Sequence, residues 1–262
     1  MLRYARLYLS FVRFSFAKAL QFRVDFFFRV LMDVLWYAMN LVFFAVIYRH
    51  TATLGGWTEA QAFVFVAGVF FIDGLYMTLF SNNLWWLPIL VNKGDLDYYL
   101  VRPVSSLWFL SLREFAANSF LNLLIAAGVL VWALSRYPEP LALDRLAVYA
   151  ALLALGLLIH WAVQIAFLIP VFWLHTAHGL RELSFAISAF HTRPDGIYRG
   201  WFRRVVTSFL PLALIVSFPT RALFQETSWE LVLHMLAAAA GSFLFVLWLW
   251  RSGLRAYASA SS

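Results

Sequence analysis

Residues 60–91 read AQAFVFVAGVFFIDGLYMTLFSNNLWWLPILV, and they indicate the class of protein to which the chain belongs. Asp73 is the only charged residue in this stretch. A helix needs about 20 apolar residues to cross the hydrocarbon core of a bilayer. The stretch therefore predicts a transmembrane helix that is longer than one crossing requires.

The composition of the whole chain has the same character. Of its 262 residues, 63% are hydrophobic and 13% are charged, whereas soluble domains have about 45–50% and about 25%. Soluble and disordered classes are both excluded, because so few charges cannot cover so much apolar surface and disordered chains are poor in aromatics. The chain has no cysteine, which excludes disulfides, thiolate metal sites and thiol nucleophiles. We predict an all-α integral membrane protein.

Apolar runs predict six transmembrane helices within one transmembrane domain, residues 30–250. The predicted spans are 30–48, 60–91, 108–134, 146–174, 205–217 and 231–250, and the fifth is short for a full crossing. Residues 1–29 interleave basic and aromatic side chains, a pattern typical of an amphipathic helix lying in the membrane interface. A simple cytosolic flank of the first span is the alternative. Residues 251–262 are predicted to be a basic cytosolic tail.

The distribution of basic residues predicts the orientation. With a cytosolic N-terminus, 16 of the 20 Lys and Arg residues lie in cytosolic segments, and the four outside are Arg49, Arg136, Arg145 and Arg221. This bias follows the positive-inside rule. It accounts for the net charge of +7 without nucleic acid as a partner. The prediction places both termini, and the connection 175–204, in the cytosol.

Three polar residues of the second span are candidates for a substrate path or a dimer seam. An ionised carboxylate at the depth of Asp73 costs several kcal/mol unless it is paired or hydrated. Hydrogen bonding to a neighbouring helix is an equally open interpretation of Asp73. Asn82 and Asn83 lie further along the same helix and are able to bond between helices.

The histidines do not predict a metal site. His175 and His178 are three residues apart, as metal ligands can be. No further carboxylate or histidine completes the spacing of a metal site, although Glu182 lies four residues beyond His178. His160 shares a helix face with Gln164 in the fourth span. We therefore predict no metal ligands.

The cytosolic loop after the second span, Asn92-Lys93-Gly94-Asp95-Leu96-Asp97-Tyr98-Tyr99-Leu100-Val101-Arg102-Pro103-Val104-Ser105, is the most informative stretch. Gly94 is suited to end a helix, and Pro103 disfavours helix at Arg102. A short cytosolic helix of barely two turns is predicted between them. Ser105 or Ser106 is then placed to cap the third span. An ordinary capped turn is the alternative.

This loop resembles the G-x-[LI]-D-x-x-L-x-[RK]-P-[VL] stretch of bacterial ABC-transporter permeases of the type-2 exporter class, in the branch whose members have about this length. Phe22-Arg23-Val24-Asp25-Phe26 and Gly55-Gly56-Trp57-Thr58 are further similarities. The resemblance implies that the loop is a coupling helix docking on a cytosolic ATPase. The residues to which it gives this role are Lys93, Gly94, Asp95, Leu96, Asp97, Tyr98, Arg102 and Pro103.

The same resemblance implies the partners. No phosphate-binding loop of the GxxxxGK[ST] type occurs in the sequence, so ATP and Mg are expected on two partner ABC ATPase subunits, and no cofactor is expected in this chain. A second permease, identical or related, and membrane lipid complete the expected partners. The expected location is the bacterial cytoplasmic (inner) membrane. Export by alternating access is the implied activity, and the sequence does not indicate the substrate.

Two other functions remain open at this point. An intramembrane lipid-modifying enzyme would use Asp73 or the histidines, and a membrane scaffold would transport nothing. The enzyme is disfavoured because Asp73 is expected at mid-membrane, whereas His175 and His178 are expected near the cytosolic face.

Overall fold

The computed structural model describes residues 2–19, 23–176, 178–225 and 228–257, and over these residues the chain is helical and forms no β-strand. The all-α prediction is confirmed. The α-helices are α1 Leu2–Ala19, α2 Arg23–Tyr48, α3 Glu59–Tyr76, α4 Asn82–Lys93, α5 Asp97–Leu100, α6 Ser106–Leu112, α7 Ala117–Ser135, α8 Leu143–Leu168, α9 Val171–Leu174, α10 His178–Ser188, α11 Gly200–Arg204, α12 Ser217–Phe224 and α13 Trp229–Ala256.

Five helical stretches in the described part of the chain are long and apolar enough to cross a membrane. They are Phe27–Tyr48, Glu59–Lys93, Ala117–Ser135, Leu143–Leu174 and Trp229–Ala256. The predicted interfacial segment 1–29 is divided between α1 and the start of α2. That segment and the predicted tail 251–262 both extend outside the described residues, at 1, 20–22 and 258–262.

The helix α3 begins at a tight turn with a full N-terminal cap. Gly55 and Gly56 both have positive φ, at 60° and 85°, which a glycine adopts without steric cost. The Thr58 side chain accepts a hydrogen bond from the Gln61 backbone N–H, and the Gln61 side chain accepts one from the Thr58 N–H. This capping box fixes where the long helix starts.

Two irregular places in neighbouring helices lie side by side, and hydrogen bonds join the polar groups of one to those of the other. A π-helical turn, Met77–Ser81, joins α3 to α4, and the predicted third span is interrupted between α6 and α7. At the interruption, the Ala116 N–H donates to the Thr78 carbonyl oxygen at 2.9 Å. The Asn83 side chain bonds both the N–H and the carbonyl of Glu114, at 3.0 and 2.7 Å. Backbone groups that a regular helix would pair internally are thus paired across the interface.

The predicted fifth span, 205–217, is wrong. Residues Val205–Phe209 form a π-helical turn, residues 210–216 are not helical, and α12 begins at Ser217. This segment packs closely on α8. A Cβ added to Gly156 of α8 would lie only 2.2 Å from the Ile215 carbonyl oxygen. Its apolar residues are buried by this packing, and the sequence pattern is equally typical of a short span.

The segment 175–204, predicted to be a cytosolic connection, does not stay at one end of the helix bundle. The Arg181 guanidinium lies 4.4 Å from the ring centre of Trp85 in α4. His191 contacts Asp73 in α3, and Gly196 packs on Gly55 before α3. We call the two ends of the bundle the Gly94 end and the Gly55 end. Residues 181–196 run from the first to the second.

Hydropathy does not reveal this traverse, because its helix is short and partly polar. The helix α10 has only 11 residues and carries charged and polar side chains, His178, Arg181 and Glu182, in its first turns. It packs along α8, and a 3₁₀ turn, Ala189–Thr192, continues it. The traverse therefore lacks the 20 apolar residues by which a lipid-exposed span is identified.

Buried apolar side chains form one cluster towards each end of the bundle. The cluster at the Gly55 end joins α3, α7 and α8 to the residues before α12. The cluster at the Gly94 end joins α4, α6, α8, α9 and α13. Close packing at that end uses Gly253 of α13, where an added Cβ would lie 2.4 Å from the Phe172 ring.

Candidate functional site

The loop between α4 and α6 is a compact structure closed at both ends. Gly94 has φ 78° and ends α4 in the left-handed region, as the sequence predicts. The α-helical part is a single turn, Asp97–Leu100, shorter than predicted. The Ser105 side chain accepts from the Trp108 N–H and caps α6, which confirms one of the two predicted caps.

Leu96 anchors this loop in the protein interior. Its exposed fraction is 0%, and it belongs to the buried cluster that joins α4, α6, α8, α9 and α13. Burying a leucine fully contributes about 1.5–3 kcal/mol relative to leaving it exposed. Leu96 therefore ties the loop to all of these helices, since buried side chains are packed closely.

Two arginines hold the loop against α6 rather than project from it. Arg102 Nε donates to the Tyr98 carbonyl at 3.2 Å, and its guanidinium lies 4.9 Å from the ring centre of Phe109. Arg113 donates to the Tyr99 hydroxyl. These are cation–π and hydrogen-bond contacts within the protein. Arg102 nevertheless remains solvent-exposed.

The two loop carboxylates face the end of α13. Burial, and then the negative charges of Asp97 and Asp95, raise the pKa of Tyr257 to about 12. The hydroxyl of Tyr257 is therefore protonated at neutral pH. Asp95 and Asp97 are both half-buried, and their effect on Tyr257 places the loop beside the end of α13.

The outer face of the loop is apolar. Tyr98 is 71% exposed and Val101 is 82% exposed. Lys93 and Pro103 are exposed beside them, and Gly94 is half-buried. Exposed apolar groups on a rigid element, rimmed by polar side chains, are typical of a surface that binds another protein.

Asp73 is the centre of a buried polar cluster that sequence reasoning missed. Its Oδ1 lies 2.9 Å from His191 Nε2 and 3.9 Å from His160 Nδ1. The three residues come from α3, α8 and the 3₁₀ turn after α10. Both histidines are almost fully buried.

His160 is held in a defined orientation by its neighbours. Its ring stacks on Tyr76 with centroids 4.2 Å apart, and its Nε2 lies 3.3 Å from Gln164 Nε2. Ser184 of α10 in turn donates to Gln164 Oε1. The predicted shared face of His160 and Gln164 is thus present. No pattern in the sequence pointed to His191, because the residues around it were assigned to a cytosolic connection.

The cluster lines a cavity of about 560 Å³ between α2, α3, α4, α8 and α10. Aromatic rings form much of its wall, and the remaining charged residues of the wall are Asp33 and Arg181. Asp33 accepts a hydrogen bond from Asn122 of α7. The aromatic residues are Trp36, Tyr37, Tyr76, Trp85 and Phe185. Asp73 thus lies on a cavity wall, and a binding role is compatible with its position.

The two asparagines of the same helix differ in their surroundings. Asn83 is buried. Its Nδ2 donates to the Glu114 carbonyl and its Oδ1 accepts from the Glu114 N–H, so its contacts are those of a structural residue. Asn82 is half-buried. His175 and His178 are both exposed and lie apart from Asp73. His160 and His191 do converge on Asp73, however, so the sequence argument that the ionisable residues are dispersed is wrong.

A comparison with protein families agrees with this architecture. A family model described as ABC-2 family transporter protein matches residues 34–261. No curated protein and no solved structure matches the chain. The resemblance found in the loop is confirmed over most of the sequence, and at this level the chain is a multi-pass membrane permease of an ABC transporter, a type of subunit that is generally not catalytic. The protein belongs to the ABC-2 family of transporter proteins.

Proposed function

We propose that this chain is the permease subunit of an ATP-driven exporter that works by alternating access. Two cytosolic ABC ATPase subunits and a second permease, identical or related, complete the transporter. ATP and Mg are bound by the ATPases, and this chain requires no cofactor for transport. Family membership supports the permease role, and the loop between α4 and α6 supports the coupling role.

The observation that carries the proposal is the construction of this loop. Its outer face, Tyr98 and Val101, is apolar and exposed. Its inner residue, Leu96, is packed among four or more helices of the bundle. A force applied by a soluble partner to the outer face is thus delivered to the transmembrane helices. This is what coupling of ATP hydrolysis to transport requires.

One continuous helical stretch connects the loop to the cavity. α4 continues through the π-helical turn Met77–Ser81 into α3, which carries Asp73. Such turns often mark functional irregularities in a helix. When the ATPases close, the loop moves α4 and α6 together, and α3 follows through the π-turn. The cavity beside Asp73 then changes its accessibility.

The proposed topology has six crossings with both termini in the cytosol at the Gly94 end. The fifth crossing is α10 with its 3₁₀ continuation, and residues 193–225 lie at the Gly55 end. Arg193, Arg199, Arg203 and Arg204 then change sides, so that the distribution of basic residues goes from 16 against 4 to 12 against 8. The excess still favours a cytosolic Gly94 end. The bacterial cytoplasmic membrane is the proposed location.

The convergence of Asp73, His160 and His191 is the one observation that suits an intramembrane enzyme. Ser184, which lies on the wall of the same cavity, bonds to Gln164 rather than to a histidine. An activated serine requires a base within hydrogen-bond reach. Family membership and the coupling loop therefore make transport the preferred function.

Copurification and a charge introduced into the loop test the proposal. The tagged permease is purified from its native host after crosslinking, and associated proteins are identified by mass spectrometry. We expect an ATPase at near-equal stoichiometry. Val101→Glu places a charge on the apolar docking face and is expected to reduce ATPase recovery at least tenfold at unchanged permease level.

Thr53→Glu is the matched control, because Thr53 is exposed at the opposite end of the bundle. We expect this variant to recover the ATPase normally. Normal recovery by Val101→Glu would reject the docking face, and the absence of any ATPase from the native complex would reject the transporter.

A further inference from the structure

We propose that Asp73, His160 and His191 bind one divalent transition-metal ion of the Zn²⁺ class at the wall of the cavity. One ligand atom from each residue lies within 4.8 Å of the others. Imidazole nitrogens with a carboxylate oxygen are ligands for Zn²⁺ and similar ions rather than for Mg²⁺ or Ca²⁺. The site is independent of the coupling loop and of the proposed docking of the ATPase.

Two of the three ligand separations fit such a site after small movements. In tetrahedral zinc sites the ligand atoms are about 2.0–2.1 Å from the metal, which places two ligands about 3.3 Å apart. The observed separations from Asp73 Oδ1 are 2.9 Å to His191 Nε2 and 3.9 Å to His160 Nδ1. Both differ from the tetrahedral value by a few tenths of an ångström, within the reach of side-chain rotation.

The second observation is an unsatisfied hydrogen-bonding capacity in both imidazoles. The Nδ1 atoms of His160 and His191 are buried and have no hydrogen-bond partner. Leaving a buried polar atom unpaired is unfavourable, because the atom has lost its hydrogen bonds to water. A metal ion bound to His160 Nδ1 removes this cost there and also pairs the carboxylate charge of Asp73 at membrane depth.

The surroundings supply an outer shell for the ligands. Gln164 lies at His160 Nε2, and Ser184 bonds to Gln164. A hydroxyl both donates and accepts, so Ser184 stays bonded whether the amide donates to a free imidazole or accepts from the Nε2–H of a ligated one. Such partners orient a metal-bound histidine. The stacked ring of Tyr76 fixes its plane.

The cavity provides an entry path and the remaining coordination position. Three protein ligands leave at least one position open in a tetrahedral site. That position faces the cavity and accepts water or an anionic group of a bound molecule. The ion also ties the 3₁₀ turn after α10 to α3 and α8, so that metal binding stabilises the traverse made by residues 181–196.

Metal binding to the purified protein tests the site. The permease carries an affinity tag without histidine, is treated with chelator in mild detergent, and is titrated with Zn²⁺ and Co²⁺. We expect one Zn²⁺ per chain after equilibrium dialysis and a higher midpoint of thermal denaturation with metal. The Co²⁺ form is expected to show the intense visible bands of four- or five-coordinate cobalt.

Variants identify the ligands. His191→Gln and Asp73→Asn are each expected to weaken Zn²⁺ binding at least tenfold, and Gln164→Leu to weaken it about tenfold through His160. The matched control is the double variant His175→Gln/His178→Gln, whose histidines are exposed and whose binding should be unchanged.

Two results would overturn the proposal. One is loss of binding in the His175/His178 control with retention in His191→Gln, which would assign the metal to the surface. The other is a native protein that binds no Zn²⁺ at micromolar concentration or shows only the weak spectrum of six-coordinate Co²⁺. The spectrum is measured on the native chain, so the test holds even if a variant does not fold.

Discussion

Gly196 lies so close to Gly55 that a Cβ on Gly196 would come within 2.1 Å of the Gly55 carbonyl oxygen. The two glycines belong to segments about 140 residues apart in the sequence. Their contact holds the end of the α10 traverse against the turn that precedes α3. Because the obstructing atoms are backbone, a side chain at Gly196 cannot be accommodated by a rotamer change.

Gly196→Ala is therefore expected to destabilise the protein by about 1–3 kcal/mol, the usual cost of overpacking. The measurement is the midpoint of thermal denaturation in detergent. Gly128→Ala is the control, because an added Cβ there meets nothing within 4 Å and alanine is the better helix former. An equal midpoint for both variants would contradict the close approach of the two segments.

The side of the membrane on which residue 199 lies distinguishes the two topologies. The chain has no cysteine, so single cysteines at Ala52, Ser105 and Arg199 are unique labels. Ala52 lies at the Gly55 end and Ser105 at the Gly94 end. We expect Arg199→Cys to react with an impermeant maleimide on intact cells as Ala52→Cys does, whereas Ser105→Cys reacts only after permeabilisation. Labelling of Arg199→Cys together with Ser105→Cys would restore the cytosolic assignment of residues 175–204.

The Asn83 side chain pairs backbone groups at the interruption between α6 and α7. Replacing it should therefore lower the stability of the protein. Asn83→Ala leaves the N–H and the carbonyl of Glu114 without their side-chain partner. Each of these hydrogen bonds contributes about 0.5–1.5 kcal/mol, so a clear fall in the thermal midpoint is expected. Asn82→Ala is the control at the neighbouring position, where the side chain is half-buried. A smaller effect at Asn83 than at Asn82 would disprove the structural role.

Sequence reasoning succeeded where a local physical rule determines the structure. Gly94 ends a helix because a left-handed residue is needed there, and Ser105 caps α6, because each feature depends on a few neighbouring residues. It failed at residues 175–217, where tertiary packing overrides hydropathy. α10 packs on α8 through one face, where Leu180 and Ser184 are buried, and it is too short and polar to resemble a lipid-exposed span. Residues 210–216, in contrast, are apolar because most of them are buried in the protein interior.

The candidate site was predictable only in part for the same reason. Asp73 is conspicuous as the single charge in an apolar stretch. His191 follows it by 118 residues, and nothing local indicates that it returns to mid-bundle. The loop between α4 and α6 was singled out by its motif, but the motif did not show that Arg102 folds back on Phe109 while Val101 is exposed.

Asp195 joins the traverse to α11 through Arg203 and to α12 through Arg221. Its side chain has an exposed fraction of 0%, and it accepts from Arg221 at 2.6 Å and from Arg203 at 2.9 Å. Arg221 is 25% exposed and bonds both carboxylate oxygens, whereas Arg203 is 45% exposed and bonds one. The energetic contributions of the two arginines should therefore be unequal.

Asp195→Asn is expected to cost about 2–4 kcal/mol, somewhat less than the loss of a partner from a fully buried ion pair because both arginines retain contact with solvent. Arg221→Gln should cost less than Asp195→Asn. Arg203→Gln should cost under about 1 kcal/mol, as exposed pairs do. The order is read from thermal midpoints in detergent, with Glu139→Gln, an exposed carboxylate, as the control. If Arg203→Gln proved as damaging as Asp195→Asn, the assignment of Arg221 as the principal partner would be wrong.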